Sequence, residues 1–260
     1  MVVYHTCNID LHCGAMGKDI LKGGKMMPKF FCISDIHSFY EPMIEALNNV
    51  SFDPNNPEHT LVVCGDVLDR GPDSEKVLDY LKSIEHKILI KGNHESLLLE
   101  CCERSYPLRH DWHNGTAQTI IDLAPDAKTF EEACQIVYDK VTPFIDNMVN
   151  YFETKNYVFT HGYVPYNKYR DWRDADELAW KDARWNNGMR MVDWGWEIDK
   201  CVVVGHYHTS WGRAQFEDKP EWGADADFSP FYYKDKLIAI DACTAYSKKV
   251  NCLVIDDDFL

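Results

Sequence analysis

The sequence has no long hydrophobic run, no excess of positive charge and no cysteine spacing typical of disulfides or structural zinc. No apolar stretch approaches the roughly 18 residues that a membrane-spanning helix needs. With 27 basic and 42 acidic residues the net charge is −15, which argues against nucleic acid as a partner because phosphate backbones bind positive surfaces. The ten cysteines are spaced irregularly, and such free thiols are typical of a reducing compartment. These absences predict a cytoplasmic protein without a membrane partner.

The length of 260 residues suits a single α/β domain with one large core. Residues 1–27 lack periodicity and resemble neither a signal peptide nor a transit peptide, so we expect a flexible N-terminal extension before one domain over residues 28–260. Three units in series, each a strand, a polar fragment and a helix, predict a parallel or mixed sheet with functional residues at the carboxyl ends of its strands. Residues 96–150 predict a helical insertion, and residues 237–241 and 250–255 predict a closing antiparallel pair.

Five short polar fragments each follow a predicted strand directly. Their carboxylate, amide and imidazole groups, without thiolates, favour manganese, iron, nickel or zinc over a structural zinc held by cysteines. Each fragment alone is compatible with an ordinary turn or helix start, but five in this order make coincidence improbable. They are Asp35-Ile36-His37, Gly65-Asp66-Val67-Leu68-Asp69-Arg70-Gly71, Gly92-Asn93-His94-Glu95, Thr160-His161-Gly162 and Gly205-His206-Tyr207-His208-Thr209.

The donor pattern predicts two metal ions that share one carboxylate. Two ions about 3.5–4 Å apart activate water and neutralise a phosphoryl group, and the bridge needs a carboxylate that touches both. Asp66, at a strand end and followed by a turn, is the best candidate for that bridge. Asp35 and His37 lie two residues apart on extended chain, so both side chains can bind the first ion. The second ion is expected at Asn93, His161 and His206.

Three further side chains suit catalysis rather than metal binding. His94 is placed to protonate the leaving oxygen, and Asp69 is placed to hold its imidazole in orientation. Arg70 is placed to bind two phosphate oxygens with its planar guanidinium. A purely structural metal site would need none of these groups.

The fragments resemble the motifs of calcineurin-like metallophosphoesterases, most closely the PPP-type serine/threonine protein phosphatases in their short bacterial and phage form. The first three match that family's signature motifs nearly letter for letter, and the other two match its later histidine motifs. The resemblance extends over about residues 29–255, and Gly92-Asn93-His94-Glu95 with the Asp69-Arg70-Gly71 ending is its specific part. It implies an α/β (α+β) fold, a two-layer β-sandwich flanked by helices, with a dinuclear metal site between the sheets and the roles given above. Residues 28–260 are then a single catalytic domain.

The chain departs from the family pattern at two positions and leaves a third open. Lys91 stands where phage-type relatives tend to have an arginine, so a single ammonium is expected to bind phosphate there. The Gly-His-x-His form of the fifth fragment is similar to the broader superfamily, which makes His208 a candidate ligand of the first metal. A second phosphate-binding arginine is expected between His161 and His206. Arg184 resembles it best, with Arg170, Arg173 and Arg190 as competitors.

Aromatic residues are concentrated after the fourth fragment. Most tryptophans between 172 and 196, with Trp211 and Trp222, are expected to pack loops onto the sandwich edge, and one or two to face the cleft. Tyr246 loosely resembles an active-site tyrosine.

The sequence therefore predicts a phosphomonoesterase of the PPP type, in which a metal-bridging hydroxide attacks phosphorus directly. We expect two divalent ions, Mn²⁺ before Fe, Zn or Ni, and a phosphorylated protein or a small phosphoester as substrate. The alternative with the same site is a dinucleoside tetraphosphatase or another nucleotide phosphohydrolase. A nuclease fits the charge of −15 less well. A catalytically inactive binding module would not need His94, Asp69 and Arg70.

Overall fold

Two five-stranded sheets pack face to face in the computed structural model, which describes residues 4–5 and 28–260. Apart from residues 4–5, the predicted N-terminal extension lies outside the described residues. The predicted sandwich flanked by helices is confirmed. None of the helices in the described ranges is long and apolar enough to cross a bilayer.

The first sheet contains the strands that deliver the first three fragments. Its order is β1-β10-β2-β3-β4, and the three neighbours β2, β3 and β4 run parallel, as predicted. The strands are β1 (Tyr4–His5), β2 (Lys29–Ile33), β3 (His59–Cys64), β4 (Lys87–Ile90) and β10 (Leu253–Asp256).

The second sheet delivers the two histidine fragments. Its order is β5-β6-β7-β9-β8, with β6, β7 and β9 parallel. The strands are β5 (Tyr151–Glu153), β6 (Tyr157–Thr160), β7 (Cys201–Val204), β8 (Phe231–Tyr233) and β9 (Leu237–Ala239).

Alternation along the strands builds three hydrophobic layers. Phe30 and Cys32 of β2 point into the space between the sheets, where they meet Phe159 and Val203 of the second sheet. The intervening residues of the same strand face the helices on the outer side. The neighbouring strands β2 and β3 are therefore apolar on both faces, which explains their continuous hydrophobic runs in the sequence.

Helices cover both outer faces of the sandwich. The predicted helical insertion corresponds to α3 to α6, and its break contains the short α4. The helices are α1 (Tyr40–Asn49), α2 (Ser74–Ser83), α3 (Asn93–Arg104), α4 (Arg109–Asn114), α5 (Thr116–Leu123), α6 (Phe130–Ile145), α7 (Glu177–Ala183), α8 (Gly188–Asp193), α9 (Thr209–Phe216) and α10 (Thr244–Ser247).

The predicted closing pair of antiparallel strands is wrong. The first run becomes β9, which pairs with β7 and β8, whereas the second becomes β10, which pairs antiparallel with β2 in the other sheet. Both runs are buried, and burial on both faces does not identify a strand's partner. The segment that carries α10 crosses from one sheet to the other between them.

Candidate metal centre

The loops after the parallel strands turn by left-handed backbone conformations. Residues other than glycine adopt positive φ angles uncommonly, and such residues tend to cluster at functional sites. Among those that follow β2, β3 or β7 here, six have side chains in or beside one cluster of polar groups. They are Asp35 (φ 50°), His37 (φ 50°), Asp66 (φ 53°), Asp69 (φ 73°), Arg70 (φ 67°) and His206 (φ 64°).

Asp66 lies at the centre of this convergence. Its Oδ2 is 3.8 Å from His37 Nε2 and 3.9 Å from His94 Nε2, and its Oδ1 is 3.3 Å from His161 Nε2. Two groups of potential ligand atoms, each within 4.8 Å, share this carboxylate: one contains His37 and His94, the other His161 and His206. A carboxylate common to two donor groups is the arrangement that a pair of neighbouring cations requires.

Backbone carbonyls fix the orientation of two imidazoles. His37 Nδ1 lies 3.0 Å from Leu68 O, and His161 Nδ1 lies 2.7 Å from Cys64 O. When Nδ1 donates to these oxygens, Nε2 of each ring is directed at Asp66. Asn93 Oδ1 lies 2.9 Å from His161 Nε2, so the amide joins the second donor group.

Asp35 joins the two sheets at the centre. Its Oδ2 accepts a hydrogen bond of 3.0 Å from His206 N, and Ser34 Oγ donates to the same oxygen. Gly205 leaves no space for a side chain between these loops, because a Cβ there would overlap Ser34 and Asp35. The Asp35 Oδ1 is 4.0 Å from His37 Nε2, which places it beside the first donor group.

The centre buries more negative charge than its own cations balance. Five carboxylates are almost fully buried in or beside it, and isolated buried charges are costly. Burial raises the pKa of Asp35 to about 6, although His161 opposes that rise. Burial opposes charge on His161, yet Asp66 raises the pKa of this imidazole to about 10, so a bound cation would replace that proton. Two divalent cations fit both the donor set and this charge. The carboxylates are Asp35, Asp66, Asp69, Glu95 and Asp241.

His94 forms a buried dyad with Asp69 at the side of the centre. Its Nδ1 lies 2.7 Å from Asp69 Oδ2, and Thr116 Oγ1 donates to the same oxygen over 2.6 Å. Arg70, which is exposed to solvent, donates to His37 Nε2 over 2.8 Å and to His94 Nε2 over 3.0 Å. The guanidinium therefore covers the donor atoms from the solvent side.

Two buried residues near the centre were not assigned to it from sequence. Thr116 begins α5 in the helical insertion, and no motif connects it to Asp69. Asp241 follows β9; burial raises its pKa and the charge of Asp35 adds to that rise. The position of Asp241 at the end of a predicted strand could have indicated a site residue, whereas no sequence pattern indicated Thr116.

Glu95 holds the loop after β3 through three backbone hydrogen bonds. Its carboxylate accepts backbone hydrogen bonds from Asp66 N (3.0 Å), Val67 N (2.8 Å) and Gly92 N (2.7 Å). It thereby joins the loop after β3 to the start of α3.

The structure places His208 outside the donor groups, contrary to the expectation from its motif. His208 precedes α9, and its Nδ1 accepts a hydrogen bond of 3.2 Å from Trp211 N. Its Nε2 is 3.5 Å from Glu221. His208 is the N-cap residue of α9, which begins at Thr209, so its imidazole is directed to the start of that helix.

The two other predicted phosphate-binding residues also lie beside the centre rather than in it. Arg184 is buried, donates to Ser96 Oγ over 3.2 Å and to Glu177 Oε1 over 2.6 Å, and also bonds to Asn150. Burial raises the pKa of the Glu177 carboxyl, but hydrogen bonds from Asn150 and Arg184, with the charges of Arg184 and Lys91, lower it overall. These protein partners occupy the Arg184 guanidinium, so its role in phosphate binding stays a prediction.

Comparison with known proteins identifies the family. A family model described as calcineurin-like phosphoesterase matches residues 28–239. The chain belongs to this family. The symmetrical bis(5′-nucleosyl)-tetraphosphatase of Proteus mirabilis (strain HI4320) is 41% identical to this phosphoesterase over 70 residues, 26% of this chain and 25% of that protein. The protein of the same name from Aeromonas salmonicida (strain A449) is 36% identical over 78 residues, 30% and 28% of the two chains. The matches therefore span only about a quarter of the length of these relatives.

Solved structures share the fold of this phosphoesterase over most of its length. A candidate diadenosine tetraphosphatase superposes with a TM-score of 0.57 at 18% identity and covers 89% of this chain and 90% of its own. The cold-active protein-tyrosine phosphatase of a psychrophilic Shewanella species gives 0.55 at 17% identity, with 96% and 84% covered. At identities this low, the similarity between the structures shows a common fold and nothing more.

Proposed function

We propose that this phosphoesterase uses a dinuclear metal centre to hydrolyse phosphomonoesters, as the PPP-type serine/threonine protein phosphatases do. The observation that carries the proposal is the position of Asp66, which lies 3.8 Å from His37 Nε2 and 3.3 Å from His161 Nε2 and has the His94–Asp69 dyad beside it. Mn²⁺ is the expected metal, with Fe, Zn or Ni as alternatives that the donor types also accept.

The residues divide into two ligand sets. Asp35, His37 and Asp66 would hold one ion, and Asp66 would hold the other together with the remaining three donors. Bound cations supply Lewis acidity towards phosphoryl oxygens and lower the pKa of water. The remaining donors are Asn93, His161 and His206.

Arg70 and His94 act on the substrate. Arg70 is solvent-exposed and has its two terminal nitrogens directed inward, so it can exchange its imidazole partners for two phosphate oxygens. His94, with Asp69 behind it, then has a free Nε2 to hold the proton that the leaving oxygen requires. In this arrangement Arg70 binds the phosphate and His94 protonates the leaving oxygen of the alcohol.

A second candidate function is hydrolysis of dinucleoside tetraphosphates. It is favoured by the names of the relatives, which are 41% identical to this chain over 70 residues and 36% identical over 78 residues. The centre itself fits both substrates, because each presents at least two non-bridging phosphoryl oxygens on the phosphorus under attack.

Turnover of three substrates tests these assignments: p-nitrophenyl phosphate, a phosphoserine peptide and diadenosine tetraphosphate, each with Mn²⁺ and with EDTA. We expect Mn²⁺-dependent turnover that His94→Asn lowers by about 10²–10⁴, the usual contribution of a general acid, while metal content is unchanged. Preference for the dinucleotide would establish the second candidate. No turnover of any substrate by the metal-loaded protein would contradict both and favour a binding module.

A further inference from the structure

The turn over residues 183–185, at the end of α7, packs against the loop that carries His161. Gly162 follows His161 directly, and a Cβ at this glycine would lie only 2.5 Å from Ala183 O. The next residue along the loop, Tyr163, donates its backbone N–H to the same carbonyl oxygen over 3.2 Å. The segment is called the 183–185 turn below.

The 183–185 turn also contacts the other imidazole of the second donor group. The backbone of Trp185 hydrogen-bonds the His206 imidazole, and the Trp185 ring lies 5.8 Å from that of His206 at an interplanar angle of 87°. Groups that hydrogen-bond a metal-binding imidazole fix its orientation, and their loss typically lowers metal affinity about 10–100-fold. The turn is therefore placed to hold His206 directly and His161 through its neighbour.

The Arg184 side chain extends these contacts to the helix that carries the third donor. Its Nη1 donates to Ser96 Oγ over 3.2 Å, and Ser96 follows Asn93 by three residues in α3. Residues three apart lie on one face of a helix, so Arg184 holds the face that carries the Asn93 amide. A second link between α7 and α3, the ion pair of Lys181 Nζ with Glu100 Oε1 at 2.6 Å, lies further along α3 from that amide.

Protein groups enclose the Arg184 guanidinium. The residue is only 3% exposed, and its Nη2 donates to Glu177 Oε1 over 2.6 Å and also to Asn150. Asn150 Nδ2 donates in turn to Glu177 Oε2 over 2.8 Å, so the three side chains hold one another. Arg70, by contrast, is exposed to solvent. Charge-assisted hydrogen bonds to a buried fork fix geometry, which suits a residue that holds protein segments together.

We propose that Arg184 is a positioning residue for the second metal ion. With the 183–185 turn it holds three donors at the spacing that one ion requires, namely Asn93, His161 and His206. The inference rests on the proposed function, because it takes these ligands from the dinuclear centre. The role needs no contact with substrate, and phosphate binding by Arg184, which its motif predicts, is the competing outcome.

Calorimetric titration of the metal-free protein with Mn²⁺ tests the inference without turnover. Asn93→Ala identifies the binding step that belongs to the second ion. Arg184→Met should lower the affinity of that step about 10–100-fold and leave the other step nearly unchanged. Ser96→Ala keeps the guanidinium and removes only its link to α3, so it should weaken the same step, and the two losses should not add. Lys181→Met is the matched control, because it removes the other link between the same helices and should change neither step.

Inhibition of p-nitrophenyl phosphate turnover by inorganic phosphate, at saturating Mn²⁺, separates positioning from phosphate binding. Positioning predicts that Arg184→Met changes the inhibition constant no more than Ser96→Ala does. Arg70→Met provides the comparison, since loss of an exposed guanidinium that binds phosphate should raise that constant.

Unchanged Mn²⁺ affinities in both Arg184→Met and Ser96→Ala would overturn the inference. So would an inhibition constant that rises in Arg184→Met as it does in Arg70→Met, because that result assigns the residue to phosphate. Equal weakening of both ions with a lowered Tm would also overturn it, since general destabilisation produces that pattern. If Arg184→Met does not fold, Ser96→Ala decides by the same criteria. Failure of the proposed function is distinguishable, because the natural protein itself would then bind fewer than two ions or hydrolyse none of the substrates.

Discussion

Replacing Asp69 with asparagine tests whether this residue acts on His94 by charge or by position. Asp69 Oδ2 accepts from His94 Nδ1 over 2.7 Å and from Thr116 Oγ1 over 2.6 Å. Its Oδ1 has no hydrogen-bond partner within residues 28–260. The asparagine carbonyl can therefore take the Oδ2 position and keep both bonds, while the amide nitrogen takes the free side. The imidazole keeps its orientation and loses the negative charge behind it.

The size of the effect follows from that lost charge. The pKa of His94 is raised: burial lowers it, but Asp66 and Asp69 outweigh burial. A hydrogen bond to a charged group is worth about 1.5–3 kcal/mol and a neutral one about 1 kcal/mol, so the loss is about 0.5–2 kcal/mol. Since about 1.36 kcal/mol corresponds to one pKa unit, the pKa of His94 should fall by about one unit.

The measurement is kcat against pH for the Mn²⁺-loaded protein. A proton donor loses activity as pH rises through its pKa, so lowering that pKa moves the alkaline limb of the profile about one unit towards acid. Above both values kcat should be about tenfold lower, with metal content and Tm nearly unchanged. An unchanged alkaline limb with uniformly lower kcat would refute a charge effect on His94, and loss of metal would indicate that Asp69 supports the ligands instead.

Three further substitutions test the supports of the centre. Asp66→Asn should weaken both ions together, so metal analysis during dialysis should show no stable one-metal form; retention of one ion would contradict the shared carboxylate. Thr116→Val should lower kcat without raising KM, because it removes a buried hydrogen bond to Asp69, and Thr116→Ser should restore it; a KM effect alone would argue against this role. Glu95→Gln should reduce the free energy of unfolding by about 2 kcal/mol and Tm by about 4–8 °C, since an amide cannot accept all three backbone hydrogen bonds; an unchanged denaturation midpoint would show that the loop is held otherwise.

The sequence predicted those parts of the site in which a polar fragment directly follows a strand. Each of Asp35, Asp66, Asn93, His161 and His206 follows an apolar strand within a few residues, and parallel strands end at a common edge. Convergence within each sheet was therefore predictable from strand order, whereas the meeting of the two sheets at one centre was implied only by the family resemblance. The structure brings all of them together.

The parts that sequence did not predict depend on contacts between distant segments. Thr116 reaches Asp69 from the helical insertion, and no spacing rule describes that contact. His208 shares a motif with His206, but the start of α9 decides where its ring points. The separation of β9 from β10 likewise depends on which sheet each buried strand joins, since both have the same apolar pattern.

The division of the donors between the two sheets would give bound ions a mechanical role. Asp66 and its neighbours belong to the first half of the chain, whereas His161 and His206 belong to the second. Bound ions would link the two sheets, and the free energy of ion binding would add to the stability of the folded protein. Removal of the metal would therefore lower the stability of the fold as well as abolish activity.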